Sequence, residues 1–164
     1  MRNFNIVTII FNFTLIVLSS NSICTAHNQN ELPLKISACT TDSLNPGKIF
    51  NLSICVDIQE SWYIYAPTGN NFKLGMFEAQ ISFELPIGIT LEDKIMWPVP
   101  TTYDIYEVYK GKIKLNPKLN VNSTAKPGLY FIKLRFKYQG CNSITCLPPI
   151  EEIIYIKLNI TQLE

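Results

Sequence analysis

Residues 129–138 read LYFIKLRFKY, and in this stretch apolar and basic side chains alternate almost one by one. Ile132 and Leu134 fall on one side of an extended chain, whereas Lys133 and Arg135 fall on the other. Successive side chains of a strand point to opposite faces of a sheet, so this period of two predicts a half-buried β-strand.

The same alternation recurs before and after this stretch. It is present in four further segments, residues 48–58, 79–86, 112–121 and 153–160. Turn residues such as Asn45-Pro46-Gly47 separate the segments, and no window has the period of an amphipathic helix. We therefore predict an all-β domain of about seven to nine strands, an immunoglobulin-like antiparallel sandwich. Pro117 interrupts one strand, which predicts an edge position or a bulge there.

The first 26 residues have a different character. Arg2 precedes an apolar run over residues 4–18, and Cys24-Thr25-Ala26 supplies small residues for cleavage. The run is shorter than the roughly 20 residues that a membrane span needs. We predict a cleavable signal peptide over residues 1–26 and a single domain over residues 27–164. The mature domain is then expected to be periplasmic or otherwise exported, and not inserted in the membrane.

Cys24 has an alternative reading, because a lipoprotein would carry its lipid on such a cysteine. Asn21-Ser22-Ile23 is an unfavourable approach to a lipidation site. Signal cleavage after Ala26 is therefore the preferred interpretation.

Charge excludes two classes of partner. The chain has 14 Lys and Arg against 13 Asp and Glu, and loss of Arg2 with the signal would leave 13 of each. Nucleic acids and anionic membranes require concentrated positive charge, so neither is an expected partner.

Cys141 and Cys146 are the residues most suited to chemistry. A disulfide between them would close a ring of about six residues, worth only roughly 2 kcal/mol as a staple. A short ring at strand ends is also accessible to an attacking thiolate. Pro148 and Pro149 restrict the backbone just behind Cys146. Spacing alone leaves a structural hairpin disulfide and a redox dithiol with similar weight.

Other chemistries have less support. Two thiolates need further ligands to hold zinc or copper, and the single histidine, His27, lies near the expected mature N-terminus. The same shortage of histidine argues against Ser–His or Cys–His hydrolysis. We therefore expect no metal and no bound cofactor.

Cys39 and Cys55 raise a separate structural hypothesis. Both lie on the polar side of their strands, and a hairpin turning near Asn45-Pro46-Gly47 would bring them within a one-residue shift of each other. Cross-strand neighbours are close enough for a disulfide, so we predict a structural Cys39–Cys55 bridge. The alternative is two separate, partly covered thiols.

Two stretches depart from the strand pattern. Residues 60–77 are aromatic and then rich in glycine and asparagine, and residues 96–111 carry two prolines and three tyrosines. Aromatic side chains are most often packing residues, but their concentration in two irregular segments favours recognition loops.

The placed strands and cysteines resemble a known family. The matching segments are WYIY (62–65), LPIGITL (85–91), WPVP (97–100), VYKGKIKL (108–115), KPGLYFIKLRFKYQGC (126–141) and CLPP (146–149). In order and spacing, over residues 33–160, they resemble the N-terminal periplasmic domain of the thiol:disulfide interchange protein DsbD, the disulfide bond corrector family. The cysteine segment is the most specific of these motifs.

The resemblance implies an immunoglobulin-like domain with one redox-active cysteine pair that relays electrons. The implied partners are thioredoxin-like proteins, a membrane thiol transporter and periplasmic disulfide-bearing proteins. Cys146 would form mixed disulfides and Cys141 would resolve them. The rival interpretation is a non-enzymatic binding or assembly module with purely structural disulfides.

The resemblance also implies a cap and an aromatic surround. Tyr63 and Tyr65 match the aromatic residues beside the pair, and residues 98–107 match a cap that shields the disulfide. Tyr103 stands where better-known members have a shielding phenylalanine, and Asp104 follows it in the cap. Four residues separate the cysteines, where some members have five. The chain ends at Glu164, so we expect a free-standing module whose electron donor is another protein.

Overall fold

The computed structural model describes residues 23–26, 32–40 and 44–161. Within these ranges the chain forms fourteen β-strands and a single-turn 3-10 helix at Phe72–Leu74. The strands are β1 Ile23–Ala26, β2 Leu34–Thr40, β3 Ile49–Asn51, β4 Ser53–Ile58, β5 Tyr63–Tyr65, β6 Gln80–Glu84, β7 Ile89–Leu91, β8 Thr101–Tyr103, β9 Tyr106–Tyr109, β10 Lys112–Leu115, β11 Lys118–Val121, β12 Gly128–Tyr138, β13 Gly140–Cys141 and β14 Ile150–Ile160.

All strand pairs in these sheets are antiparallel. The sheet orders are β1-β2-β4-β10, β3-β11-β7, β14-β12-β6 and β13-β5-β9-β8. Their inner faces share one large apolar core. This architecture confirms the predicted all-β, immunoglobulin-like sandwich.

The segment LYFIKLRFKY forms the centre of the β14-β12-β6 sheet. β12 pairs with β14 over eleven residues, from Gly128 opposite Ile160 to Tyr138 opposite Ile150. Its inward side chains are fully buried: Ile132, Leu134, Phe136 and Tyr138. The alternation read from the sequence therefore identifies the core face of this strand correctly.

The outer face of the same sheet is held by charge. Arg135 of β12 donates hydrogen bonds to Glu84 of β6 and, at 2.9 Å, to Glu151 of β14. The guanidinium lowers the pKa of both carboxyl groups. One side chain thus ties three neighbouring strands across the solvent face.

Two long ribbons are each divided into shorter strands. β3 and β4 follow each other on one side, and they pair with β11 and β10, respectively, on the other. Both sides are interrupted at the same level, where Leu52 N donates to Pro117 O at 3.0 Å. Pro117 therefore marks the interruption that the sequence predicted. At the end of β4, Ile58 N donates to Gly111 O at 2.9 Å. The chain then continues into β5, which pairs with β9.

Part of the predicted signal peptide, residues 1–22, lies outside the described residues. Residues 23–26 form β1, which pairs with β2. Among the described residues, no helix has the length and apolar character needed to cross a bilayer.

Candidate active site

The last hairpin of the chain carries the cysteine pair. Cys141 ends β13, and Cys146 lies opposite it in an antiparallel bridge with a Cα–Cα distance of 4.1 Å. The two form a disulfide. Backbone hydrogen bonds flank the pair, from Asn142 N to Thr145 O and from Leu147 N to Gly140 O, each at 2.9 Å. The pair thus occupies a non-hydrogen-bonded position, where facing Cα atoms of antiparallel strands come closest.

A bulge separates this hairpin from the long β12–β14 ladder. The ladder ends where Tyr138 faces Ile150. Before the cysteine pair is reached, a single residue, Gln139, faces two residues, Pro148 and Pro149. Prolines donate no ladder hydrogen bond, so they are suited to the side of a bulge that carries the extra residue.

The bulge decides which residues face each other at the tip. In an unbroken register Cys141 would face Leu147, and Cys146 would face Asn142. The extra residue shifts the register by one, so that the two cysteines are opposed. Gln139 Nε2 also donates to Leu147 O at 3.0 Å across the shifted segment.

The tip of the hairpin is held by one side chain. Asn142 Oδ1 accepts hydrogen bonds from the backbone N–H groups of Ile144 at 2.8 Å and Thr145 at 2.9 Å. This is an Asx-type turn, which favours a closed loop without glycine. The turn and the flanking backbone bonds therefore hold Cys141 close to Cys146 by means other than the disulfide.

The glycine before the first cysteine is needed for packing. A Cβ atom at Gly140 would lie 2.6 Å from Pro33 Cγ and 3.5 Å from Trp62 Cε3. The Gly140–Cys141 strand can therefore approach these rings only without a side chain at position 140.

The two bonded cysteines differ in exposure. Cys141 is 0% exposed, whereas Cys146 is exposed. Cys141 Sγ lies 3.8 Å from Tyr65 Oη, and Cys141 faces Tyr63 in the β13–β5 pairing. An external thiolate can therefore reach Cys146, while its partner sulfur is enclosed by aromatic side chains.

The outer face of the β13-β5-β9-β8 sheet is aromatic. Tyr63, Tyr65, Val108 and Cys141 form a separate buried cluster, against which Tyr106 packs. The Tyr63 and Tyr65 rings meet edge to face at 5.7 Å, as Tyr65 and Tyr106 do at 5.5 Å. The alternate residues of these strands turn to the main core instead.

Tyr65 is kept in its neutral form. Burial and then its hydrogen bond with Tyr63 raise the pKa of Tyr65 well above its ordinary value of 10.0. A neutral phenol has one proton, so Tyr65 can donate a hydrogen bond to a negatively charged Cys141 sulfur by turning that proton away from Tyr63.

The segment matched to a cap forms a hairpin of β8 and β9. Tyr103 faces Tyr106, and Asp104 and Ile105 make the turn between them. Asp104 is exposed at the tip with a φ of 56°, a left-handed conformation that aspartate tolerates. The Tyr103 ring lies 5.0 Å from the Tyr63 ring.

Of the residues predicted from sequence, Tyr63 and Tyr65 therefore lie beside Cys141, Tyr103 packs on Tyr63, and Asp104 lies at the tip of the hairpin. Cys146 remains exposed with the hairpin in this position.

The base of the cap hairpin is fixed to the core. The Trp97 ring stacks on Tyr109 at 5.8 Å and lies 6.1 Å from Phe136. The Tyr109 hydroxyl donates to Pro98 O at 2.8 Å. The chain therefore enters the cap from a rigid point, and Val99, 92% exposed, is the first residue beyond it.

Sequence reasoning missed Asn71, which is 1% exposed. Its Nδ2 donates to Ala66 O at 2.9 Å and to Glu107 O at 2.7 Å, and its Oδ1 accepts from Glu107 N at 3.2 Å. The side chain thus joins the asparagine-rich loop to β9 as a neighbouring strand would. An asparagine in a polar loop gives no pattern from which this burial could be read.

The predicted Cys39–Cys55 bridge is wrong. Cys55 is an exposed free thiol, whereas Cys39 is disulfide-bonded. In the β2–β4 register Cys39 faces Ser53 and Cys55 faces Ser37, an offset of two residues rather than one. The two cysteines share a face but lie on a diagonal, where side chains are farther apart than in a facing pair.

The fold and the site define a β-sandwich domain with a hairpin disulfide exposed on one sulfur only. The family model "Thiol:disulfide interchange protein DsbD, N-terminal" matches residues 26–158. The chain belongs to this family, as its motifs indicated.

Two solved structures are similar to this chain, and the first of them supports the fold. The N-terminal periplasmic domain of ScsB from Proteus mirabilis is similar with a TM-score of 0.57 and 13% identity, over 85% of this chain and 52% of that one. The chain thus spans about half the length of that structure. The GAE domain of GGA2p from Saccharomyces cerevisiae gives a TM-score of 0.46 and 14% identity, over 83% and 97% of the two chains. No curated protein matches the chain.

Family membership carries a general functional statement. It relates the chain to the N-terminal part of a thiol:disulfide interchange protein, so thiol–disulfide exchange is the chemistry to consider for this cysteine pair.

Proposed function

We propose that this chain is an exported redox relay that passes electrons between thioredoxin-like proteins and disulfide-bearing proteins through Cys141 and Cys146. A membrane thiol transporter is the proposed source of electrons, and residues 1–26 are the proposed export signal. The domain acts as a protein-disulfide reductase without a bound cofactor.

The observation that carries the proposal is the unequal exposure of two bonded cysteines in a chain of this family. Cys146 is exposed and Cys141 is fully buried. Thiol–disulfide exchange proceeds by attack on one sulfur while the other leaves, so a directed exchange site needs this asymmetry. A structural staple does not require it.

In the reducing direction, the Cys146 thiolate attacks one sulfur of a partner disulfide. A Cys146–partner bond forms, and the other partner sulfur leaves as a thiolate and takes up a proton. The Cys141 thiolate then attacks Cys146, which restores the Cys141–Cys146 bond and releases the second partner sulfur as a thiolate. Two electrons have passed from this domain to the partner.

Recharging is the reverse sequence with a different protein. A donor thiolate attacks Cys146, and Cys141 leaves as a thiolate beside Tyr65. Hydrogen-bond donation from the neutral Tyr65 phenol, 3.8 Å from the sulfur, stabilises that charge. The second donor thiol then attacks the mixed disulfide, which leaves the domain as a dithiol.

Two cysteine variants test these roles. We expect Cys146→Ser to abolish exchange with reduced thioredoxin, because no accessible sulfur remains. With oxidised thioredoxin, the Cys146 thiolate of Cys141→Ser should attack the partner disulfide and accumulate a stable mixed disulfide, detected as a covalent complex on a non-reducing gel. Exchange at the wild-type rate by both variants would overturn the proposal.

The reduction potential separates this proposal from a structural disulfide. A value near the thioredoxin range, about −270 mV, supports exchange, and one far below about −300 mV indicates an inert staple in a binding module. The Asn142 turn and the flanking backbone bonds already close the hairpin, which weakens the case for a staple.

A further inference from the structure

Lys110 contacts both sides of the boundary between the cap and the sheet. Its Nζ lies 3.9 Å from the centre of the Tyr103 ring and 5.7 Å from the centre of the Tyr63 ring. Both distances fall within the roughly 6 Å range of cation–π attraction. Tyr103 belongs to β8 of the cap, and Tyr63 belongs to β5.

The two rings differ in how firmly they are held. Tyr63 is 8% exposed and faces Cys141 across the β13–β5 pairing. Tyr103 is 39% exposed and lies on β8, the outermost strand of its sheet, which pairs only with β9. The Tyr103 ring is therefore the partner that can leave, while Tyr63 stays.

The β8–β9 pairing holds the backbone of Tyr103, but few described contacts hold its ring. Its ring meets Tyr63 at 5.0 Å with a tilt of 47°, and Ile105 beside it in the turn is 62% exposed. Lys110 directly follows the firmly anchored Tyr109, so its ammonium group approaches the cap from a fixed base.

We infer that Lys110 is a positioning residue, an electrostatic latch that holds Tyr103 against Tyr63, the residue that faces Cys141, and so keeps the cap hairpin closed. This inference rests on the proposed function. Because Lys110 is exposed and lines an open groove with residues 58–62, the latch is weak and reversible.

The latch affects large and small reductants differently. Cys146 is exposed with the cap closed, so a small thiol can attack it directly. A folded protein must also cover the surface around the disulfide, where the Tyr103 ring lies on Tyr63, the residue that faces Cys141. The latch therefore slows exchange with a protein and leaves exchange with a small thiol unchanged.

The test compares Lys110→Met with wild type, using reduced thioredoxin and dithiothreitol in parallel. Loss of an exposed cation–π contact should raise the open population, and with it the thioredoxin rate, by about 2- to 5-fold. The dithiothreitol rate should stay constant. Lys110→Arg should restore the wild-type ratio of the two rates, because a guanidinium also binds aromatic faces.

Lys112→Met is the matched control. Lys112 is equally basic and 82% exposed, but its partner is Asp57 on β4, at 3.5 Å. This variant should leave the ratio of the two rates unchanged. In a Tyr103→Leu background, Lys110→Met should lose most of its effect, because the cap ring that binds the ammonium group is gone.

The outcomes separate the latch from the proposed function. If wild type exchanges with neither reductant, the proposed function fails. If wild type exchanges with both and Lys110→Met has an equal or lower thioredoxin rate, the latch is refuted and the proposed function stands.

Discussion

Asn142 should tune the reduction potential of the cysteine pair, and Asn142→Ala tests this. The substitution removes the acceptor of two backbone hydrogen bonds, to Ile144 N and Thr145 N, that close the turn between the cysteines. In the oxidised protein the disulfide keeps the turn closed, so losing the two hydrogen bonds destabilises this form by their full free energy. In the reduced protein the turn can open and water can replace the lost acceptor.

The oxidised form is therefore destabilised relative to the reduced form. Two exposed hydrogen bonds contribute about 1–2 kcal/mol together. For a two-electron couple about 1.4 kcal/mol corresponds to 30 mV, so the potential should rise by about 20–40 mV. The direction of this shift is as informative as its size, because a substitution that tightened the turn would lower the reduction potential instead.

The assay is equilibration in glutathione buffers of known ratio, followed by acid quenching, alkylation and mass spectrometry. Asn142→Asp keeps an acceptor oxygen in place and should stay close to wild type. An unchanged or lowered potential for Asn142→Ala would refute the argument, because it would mean that the turn does not hold the reduced thiols together.

Four further predictions concern stability and thiol chemistry. Asn71→Ala leaves two backbone groups without a partner and should lower the free energy of unfolding by about 2–4 kcal/mol in urea titrations, whereas no change would contradict the buried bridge. Gly140→Ala should cost about 1–3 kcal/mol in the same assay, because the new Cβ overlaps Pro33; a neutral result would show that the ring moves aside. Burial, and then Glu107, raises the pKa of Tyr109 from 10.0 to about 12. The contribution of neutral Tyr109 to the free energy of unfolding should therefore be fully present below pH 10 and be lost as the pH rises toward 12. Tyr109→Phe should reduce that fall in alkaline titrations followed by circular dichroism, and an identical curve would argue against the assignment. Without reduction, iodoacetamide should label Cys55 but neither Cys141 nor Cys146, which are bonded to each other; protection of Cys55 would contradict its exposure.

The strand pattern was predictable because it depends on a local property. Period-two alternation fixes which side of a strand is apolar, and Leu134 and Phe136 are buried as that pattern requires. The position of Cys141 beside Tyr63 followed from the family resemblance, and the pairing of β13 with β5 agrees with it.

Register across turns was not predictable, because it depends on turn geometry. The Cys39–Cys55 hypothesis placed both cysteines on the correct face, but it assumed an offset of one residue where the β2–β4 register has an offset of two. The bulge at Gln139 was visible in the sequence only as a proline pair, with no indication of the direction of the shift. Asn71 and Lys110 lacked any periodic context, since their partners are backbone groups and rings distant in sequence.

The bulge opposite Gln139 has a consequence for insertions and deletions in related chains. A longer tip between Cys141 and Cys146 changes only the turn, because the flanking backbone bonds still oppose the two sulfurs. Between Cys146 and β14, an added residue must be absorbed by a larger bulge, or it moves Cys146 out of phase with Cys141. Length variation should therefore be tolerated in the ring itself and strictly limited in the segment that follows it.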